Sequence, residues 1–104
     1  MNINVTSNAP SLKKEEYFLV IKNINEQLET LAEYFGDIES VEIKLYDTMV
    51  DNKKNDKAVF FSINLENELY IKYQIADKWN DVINDIFRSL IDTIEIKNLD
   101  LLLN

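Results

Sequence analysis

The side chains with chemistry to offer are carboxylates, amines and aromatic rings, because two reactive types are missing. The chain has no histidine and no cysteine. The commonest general base near neutral pH and the usual ligands of structural zinc are therefore absent, as is any disulfide framework. Serine and threonine hydroxyls have no histidine to activate them for attack. One glycine in the whole chain rules out a glycine-rich phosphate loop. Nineteen carboxylates remain. A carboxylate pair does acid–base work only when the fold sets the two across a cleft. Here they follow the polar sides of helical repeats, where a solvated face is the simpler account. Asp47 and Asp51 are spaced as in the start of a calcium loop, but the glycine and closing glutamate of such a loop do not follow. These residues predict a binding protein rather than an enzyme, with no metal and no cofactor.

Binding chemistry is better provided for. Lys44 and Lys72 fall in stretches of alternating polarity, and Lys53, Lys54 and Lys57 in a polar stretch. Lys78 precedes a helical repeat that contains Arg88. Alternation predicts that Tyr46, Tyr70 and Lys72 share one sheet face with Lys44 and Phe60, turned away from the helices. An aromatic and basic sheet face can stack bases or hold a protein partner. The other account is a solvated face on which aromatics support cross-strand pairs. Trp79 opens the helical repeat on its apolar side and reads as a core residue. Overall, 11 basic residues face 19 acidic ones, a formal net charge of −8. That balance disfavours non-specific binding to nucleic acid or anionic membrane, and favours solubility or a basic partner.

These residues need a scaffold, and the chain's 104 residues suit one domain. One glycine and one proline leave little room for loops. Residues 1–7 alternate, with Ile3 and Val5 apolar, and predict a short strand with one buried face. Pro10 turns the chain and Ser11 is placed to cap a helix over 12–35. Tyr17, Ile21, Ile24, Leu28, Leu31 and Phe35 form its apolar stripe, widened by Phe18, Val20 and Ala32. Gly36 stands where a left-handed cap belongs. Strands are predicted over 38–46, 58–65 and 69–75, with a mobile loop over 47–57 and a tight turn at Glu66 and Asn67. From Asp77, a second helix carries Trp79, Val82, Ile83, Ile86, Phe87, Leu90, Ile91 and Ile94 on its apolar side. The expected fold is α+β with the order β-α-β-β-β-α. A four-stranded sheet carries two helices on one face and leaves the other face open.

Several segments add a resemblance. Met1-Asn2-Ile3-Asn4-Val5-Thr6 is an opening strand, and residues 28–38 run from a leucine-rich turn to an aromatic and then an isoleucine. Val41-Glu42-Ile43-Lys44-Leu45 forms a second strand, and Asp77-Lys78-Trp79 opens the last helix, followed by Val82 and Ile86. Together these resemble the short ribosome hibernation-promoting factor and ribosome-associated inhibitor family over residues 1 to about 96, with tryptophan in place of the family's tyrosine. The resemblance implies a factor that binds ribosomal RNA in the decoding region of the small subunit, blocks messenger and transfer RNA, and promotes ribosome pairing. It makes Lys44, Lys72, Lys78, Arg88 and the lysines at 53, 54 and 57 the candidate RNA contacts, and Tyr46 and Tyr70 sheet-face contacts. The second helix departs from the family, with Asp81, Asp85 and Asp92 where a basic surface is expected. The alternative is an acidic protein-interaction module on the same fold: an inhibitor, an immunity protein or a nucleic-acid mimic that occupies a basic protein.

The chain is expected to form one domain over 1–104, with an apolar tail at 97–104. Leu99, Leu101, Leu102 and Leu103 in that tail extend the helix, add an edge strand or meet a partner, including a second copy. With no apolar run of about 20 residues and no charged start followed by an apolar segment, the expected setting is the cytoplasm, without membrane contact.

Overall fold

The structure, a computed structural model, describes residues 2–50 and 54–103. The elements run β1 (Asn2–Asn8), α1 (Lys14–Phe35), β2 (Ile38–Val50), β3 (Lys54–Leu65), β4 (Glu68–Ala76) and α2 (Trp79–Leu103). The sheet order is β1-β2-β3-β4. β1 lies parallel to β2, so the chain must cross over between them, and α1 is that crossover. The other neighbours are antiparallel hairpins. This is the α+β fold and the element order that alternation and periodicity predict.

One core joins the layers. Val41, Ile43 and Leu45 of β2 and Val59, Phe61, Ile63 and Leu65 of β3 are buried on one sheet face. Val20, Ile24, Leu28 and Leu31 of α1 pack into the same cluster, with Tyr17, Ile21 and Phe35 partly buried beside them. α2 contributes Trp79, Val82, Ile83, Ile86, Phe87, Leu90 and Ile94. Phe61 and Phe87 meet edge to face at 5.2 Å between ring centroids, a contact worth about 1 kcal/mol beyond its burial. Trp79 is a core residue, as its place on the stripe predicts.

Some local expectations need correction. Residues 47–57 are not one long loop: β2 runs to Val50 and β3 begins at Lys54, with Asp47 paired to Lys57 and Thr48 to Asp56. Polar side chains concealed the strand, because this end of the hairpin passes beyond the core. Ser11 does not cap α1. Lys13 holds the cap position, with no side-chain bond to the helix. The Ser11 hydroxyl and N–H instead both donate to the Asp47 carboxylate. Phe18 does not widen the buried stripe but is exposed beside Leu19. Ile3 is also largely exposed, since β1 is an edge strand.

Gly36 ends α1 with φ +110° and ψ −162°. That is not the left-handed helical region but an extended region open essentially to glycine alone. The tight turn at Glu66 and Asn67 forms with both residues at positive φ, 49° and 65°. No glycine relieves it, but neighbours hold it. The Asp37 N–H donates to the Glu66 carboxylate at 2.8 Å, and the Asn67 N–H donates to Glu39 at 3.0 Å. The pairing register shifts between Ile38 and Ser40, which leaves Glu39 free to reach that turn. Of the three fates open to the tail, the structure takes the first: α2 continues to Leu103.

Candidate functional site

The sheet face turned away from the helices is built by the even-numbered residues of β2 and β3 and the odd-numbered residues of β4. Register fixes this. Phe61 and Ile63 are core residues, and they pair with Lys72 and Tyr70. Directly opposed residues of an antiparallel pair share a face. Tyr70 and Lys72 therefore belong to the helix side, contrary to the expectation that they join Tyr46 and Lys44. The Lys72 ammonium donates to the Thr93 hydroxyl on α2 at 2.7 Å. Tyr70 packs against the core, and Lys97 lies over its ring at 5.7 Å. Lys97 also pairs with Glu68 at 2.7 Å. The hydrogen bond to Glu68 raises the Lys97 pKa above its ordinary value.

The residues that do take the open face are Leu69, Ile71, Tyr73 and Ile75, and all four are exposed. Tyr73 pairs with Phe60, and Phe60 with Lys44 across the next strand. The Lys44 ammonium sits 5.5 Å from the Phe60 ring centroid and 3.3 Å from Glu42. Tyr46 and Tyr73 lie 6.3 Å apart with tilted rings. Burial pushes the Tyr46 phenol up, and the neighbouring Tyr73 hydroxyl adds to that. The result is a half-exposed aromatic platform with one cation over it and an apolar row at its edge. Sequence reasoning found Lys44, Tyr46 and Phe60. It missed Tyr73 and its row because four apolar residues in alternation suggested a buried face. The turn at Glu66 and Asn67 carried the missing signal. A two-residue turn pairs Leu65 with Glu68, which places the even residues of β4 opposite the core residues of β3.

Among the described residues, the nominated cations do not gather. Lys57 lies on the helix side, low in exposure, 3.7 Å from Asp47. Burial raises the Asp47 pKa, but the two Ser11 hydrogen bonds and the Lys57 charge outweigh it and hold the carboxyl below its ordinary value. Lys78 is exposed in the turn before α2, where its carbonyl accepts the Val82 N–H. Arg88 projects from α2 and pairs with Asp85 at 3.1 Å. Lys53 falls outside the described residues, as does the Lys54 side chain. The outer helix surfaces are acidic, with Glu26, Glu29 and Glu33 exposed on α1 and Asp81, Asp92 and Glu95 on α2. Among the described residues, no three carboxylates gather as a metal site. No described helix is long and apolar enough to cross a membrane.

No protein-family model matches the chain, and no curated protein matches it in sequence. Solved structures do match. A ribosomal subunit interface protein from Coxiella burnetii superposes with a TM-score of 0.64 at 12% identity, covering 95% of this chain and 99% of that one. The N-terminal domain of Protein Y from Thermus thermophilus superposes with a TM-score of 0.62 at 13% identity, covering 90% of this chain and 96% of that one. At such identities the likeness is one of fold alone.

Proposed function

We propose that this protein is a ribosome-associated, hibernation-factor-like protein that docks on the small ribosomal subunit and modulates translation in the cytoplasm. Its role is binding, without catalysis. One observation carries the proposal: the fold matches a ribosomal subunit interface protein over 95% of this chain and 99% of that one. This is an inference by fold analogy, and the site must supply the mode of contact. The open face offers Tyr46, Phe60 and Tyr73 as surfaces for base stacking or protein contact, with Lys44 beside them. Among the described residues it lacks the cluster of cations that grips phosphates. Each neutralised phosphate adds about −0.7 to −0.9 to the slope of log affinity against log salt. Docking through this face should therefore fall only gently with salt, with a slope of about −1 to −2.

Co-sedimentation of the purified chain with bacterial ribosomes across a salt series tests this. The expected result is binding with that shallow slope, weakened by Lys44→Ala and by Tyr46→Ala. Absence from the ribosomal pellet at every salt concentration would overturn the proposal.

A second reading is favoured by the acid on the outer helix surfaces. It makes the chain a protein-interaction module, an inhibitor, immunity protein or nucleic-acid mimic, whose helices dock on a basic protein. An electrostatic encounter of that kind weakens steeply as salt rises. In the same assay, binding lost on Asp81→Asn with Asp92→Asn but indifferent to Lys44→Ala would select this reading.

A further inference from the structure

The sheet ends in an edge strand, β4, and among the described residues no further strand pairs with its outer edge. The strand order makes β4 outermost. The two-residue turn makes Leu65 and Glu68 the first hydrogen-bonded pair of the hairpin, and antiparallel alternation then directs the backbone N–H and C=O groups of Leu69, Ile71, Tyr73 and Ile75 off the edge. The same four side chains stand on the open face, 40–57% exposed. Soluble proteins normally blunt such an edge with charge, proline or a bulge. This outward row has no charge, the strand has no proline, and the β3–β4 register has no shift.

We propose that β4 pairs antiparallel with β4 of a second copy, so that two four-stranded sheets become one of eight strands. A two-fold axis normal to the sheet makes the edge self-complementary. With the axis at Tyr73, Ile71 meets Ile75 and Lys72 meets Gln74. With the axis at Ile71, Leu69 meets Tyr73 and Lys72 meets Tyr70. Neither register opposes like charges. A register centred on Lys72 would set two ammonium groups across from each other and is disfavoured.

The occupant that fits is a second copy, because the outward row is uncharged and meets itself under a two-fold axis without opposing like charges. Two chains of net charge −8 repel, so they can approach only through a surface without excess acid. Among the described residues, the charges on the open face are the Glu42–Lys44 pair and Asp56, which stand on β2 and β3, and the outward β4 row that would meet the second copy carries none. The helix surfaces do not meet that condition. The exposed leucines at the end of α2 are the rival contact, but Glu95 and Asp100 accompany them, so joining two such ends brings acid together. Nucleic acid gains little at this edge, since phosphates need cations. The inference does not rest on ribosome association, and edge pairing leaves the Lys44 side of the face open.

Sedimentation equilibrium of the full chain, with amide hydrogen exchange followed by NMR, tests the proposal. The expected result is a reversible monomer–dimer equilibrium. The amides of Leu69, Ile71, Tyr73 and Ile75 should exchange at least about tenfold more slowly in concentrated than in dilute protein. Ile71→Lys should give a folded monomer, Ile71→Val should keep the dimer, and Leu102→Glu should leave it intact. A wild-type chain that stays monomeric, or whose β4 amides exchange alike at both concentrations, overturns it. So does a dimer that survives Ile71→Lys and is lost with Leu102→Glu. The exchange readout on the wild type decides the matter even if Ile71→Lys fails to fold.

Discussion

Gly36 joins two elements through a backbone conformation that no other residue adopts without strain. A Cβ placed there would collide with the Glu66 carboxylate, which already accepts the Asp37 N–H. Gly36→Ala therefore combines strain with loss of the clasp between the end of α1 and the β3–β4 turn. It should lower stability by about 1–3 kcal/mol in urea unfolding. A change within a few tenths of a kcal/mol would mean the junction relaxes freely. Asp47 gives a pH-dependent counterpart. Its folded pKa lies below the unfolded value of about 3.9. The stability it contributes is thus complete above that unfolded value and is lost as pH falls through the lower folded one. Asp47→Asn should cost about 1–2 kcal/mol near neutral pH. Its melting temperature should also fall less than that of the wild type between about pH 5 and pH 2. Parallel acid limbs for the two proteins would show that Ser11 and Lys57 do not single out this carboxylate. Gly36 was legible as the residue that ends α1, but its close approach to Glu66 and the role of Asp47 were not. Ser11 looked like a helix cap, yet its hydrogen-bond partner lies 36 residues away, a distance over which local patterns are blind.

The elements were legible where the core enforces a period. The stripe of α1 from Tyr17 to Phe35, the alternation of β2 from Val41 to Leu45 and the repeat of α2 from Trp79 to Ile94 all read correctly, because each buries its apolar residues against the same cluster. Legibility failed where elements run past that cluster. The far end of the β2–β3 hairpin is polar, so strand looked like loop. β4 lies at the sheet edge, so its most apolar row faces outward and its Tyr70 and Lys72 row faces α2. Tyr70 and Lys72, two of the five residues expected on the open face, were misplaced for that one reason. α2 shows the same division along a single helix. Leu90 is fully buried, whereas Leu102 is 84% exposed in the helix beyond the core. Leu90→Ala should cost about 2–5 kcal/mol, as core truncations do. Leu102→Ala should change stability by less than about 0.5 kcal/mol. Urea unfolding of both variants checks the pair. A large loss at Leu102 would show that the end of α2 packs on something beyond its own chain.

Across the whole molecule, charge shapes behaviour more than any single pair does. The excess of eight negative charges was plain from composition, but composition did not reveal how the charges divide among surfaces. The exposed pairs Lys22–Glu26 at 3.9 Å and Arg88–Asp85 at 3.1 Å stabilise little, because water screens them and long side chains lose freedom in forming them. Against those pairs stands the mutual repulsion of the acid spread over both helices, which acts through solvent and is therefore open to screening. The Debye length falls from about 30 Å at 0.01 M salt to about 10 Å at 0.1 M. The principal extents are 48 × 28 × 16 Å, so most pairs of surface carboxylates are farther apart than the shorter length and closer than, or comparable to, the longer one. Added salt should thus remove repulsion across the molecule before it weakens contacts at 3–4 Å. The melting temperature should rise between about 0.01 and 0.15 M sodium chloride and then level off. Scanning calorimetry at a fixed low protein concentration, which keeps edge pairing out of the measurement, provides the check. A melting temperature that falls over this range would mean that local ion pairs outweigh long-range repulsion, and that the acidic helix surfaces cost the fold nothing.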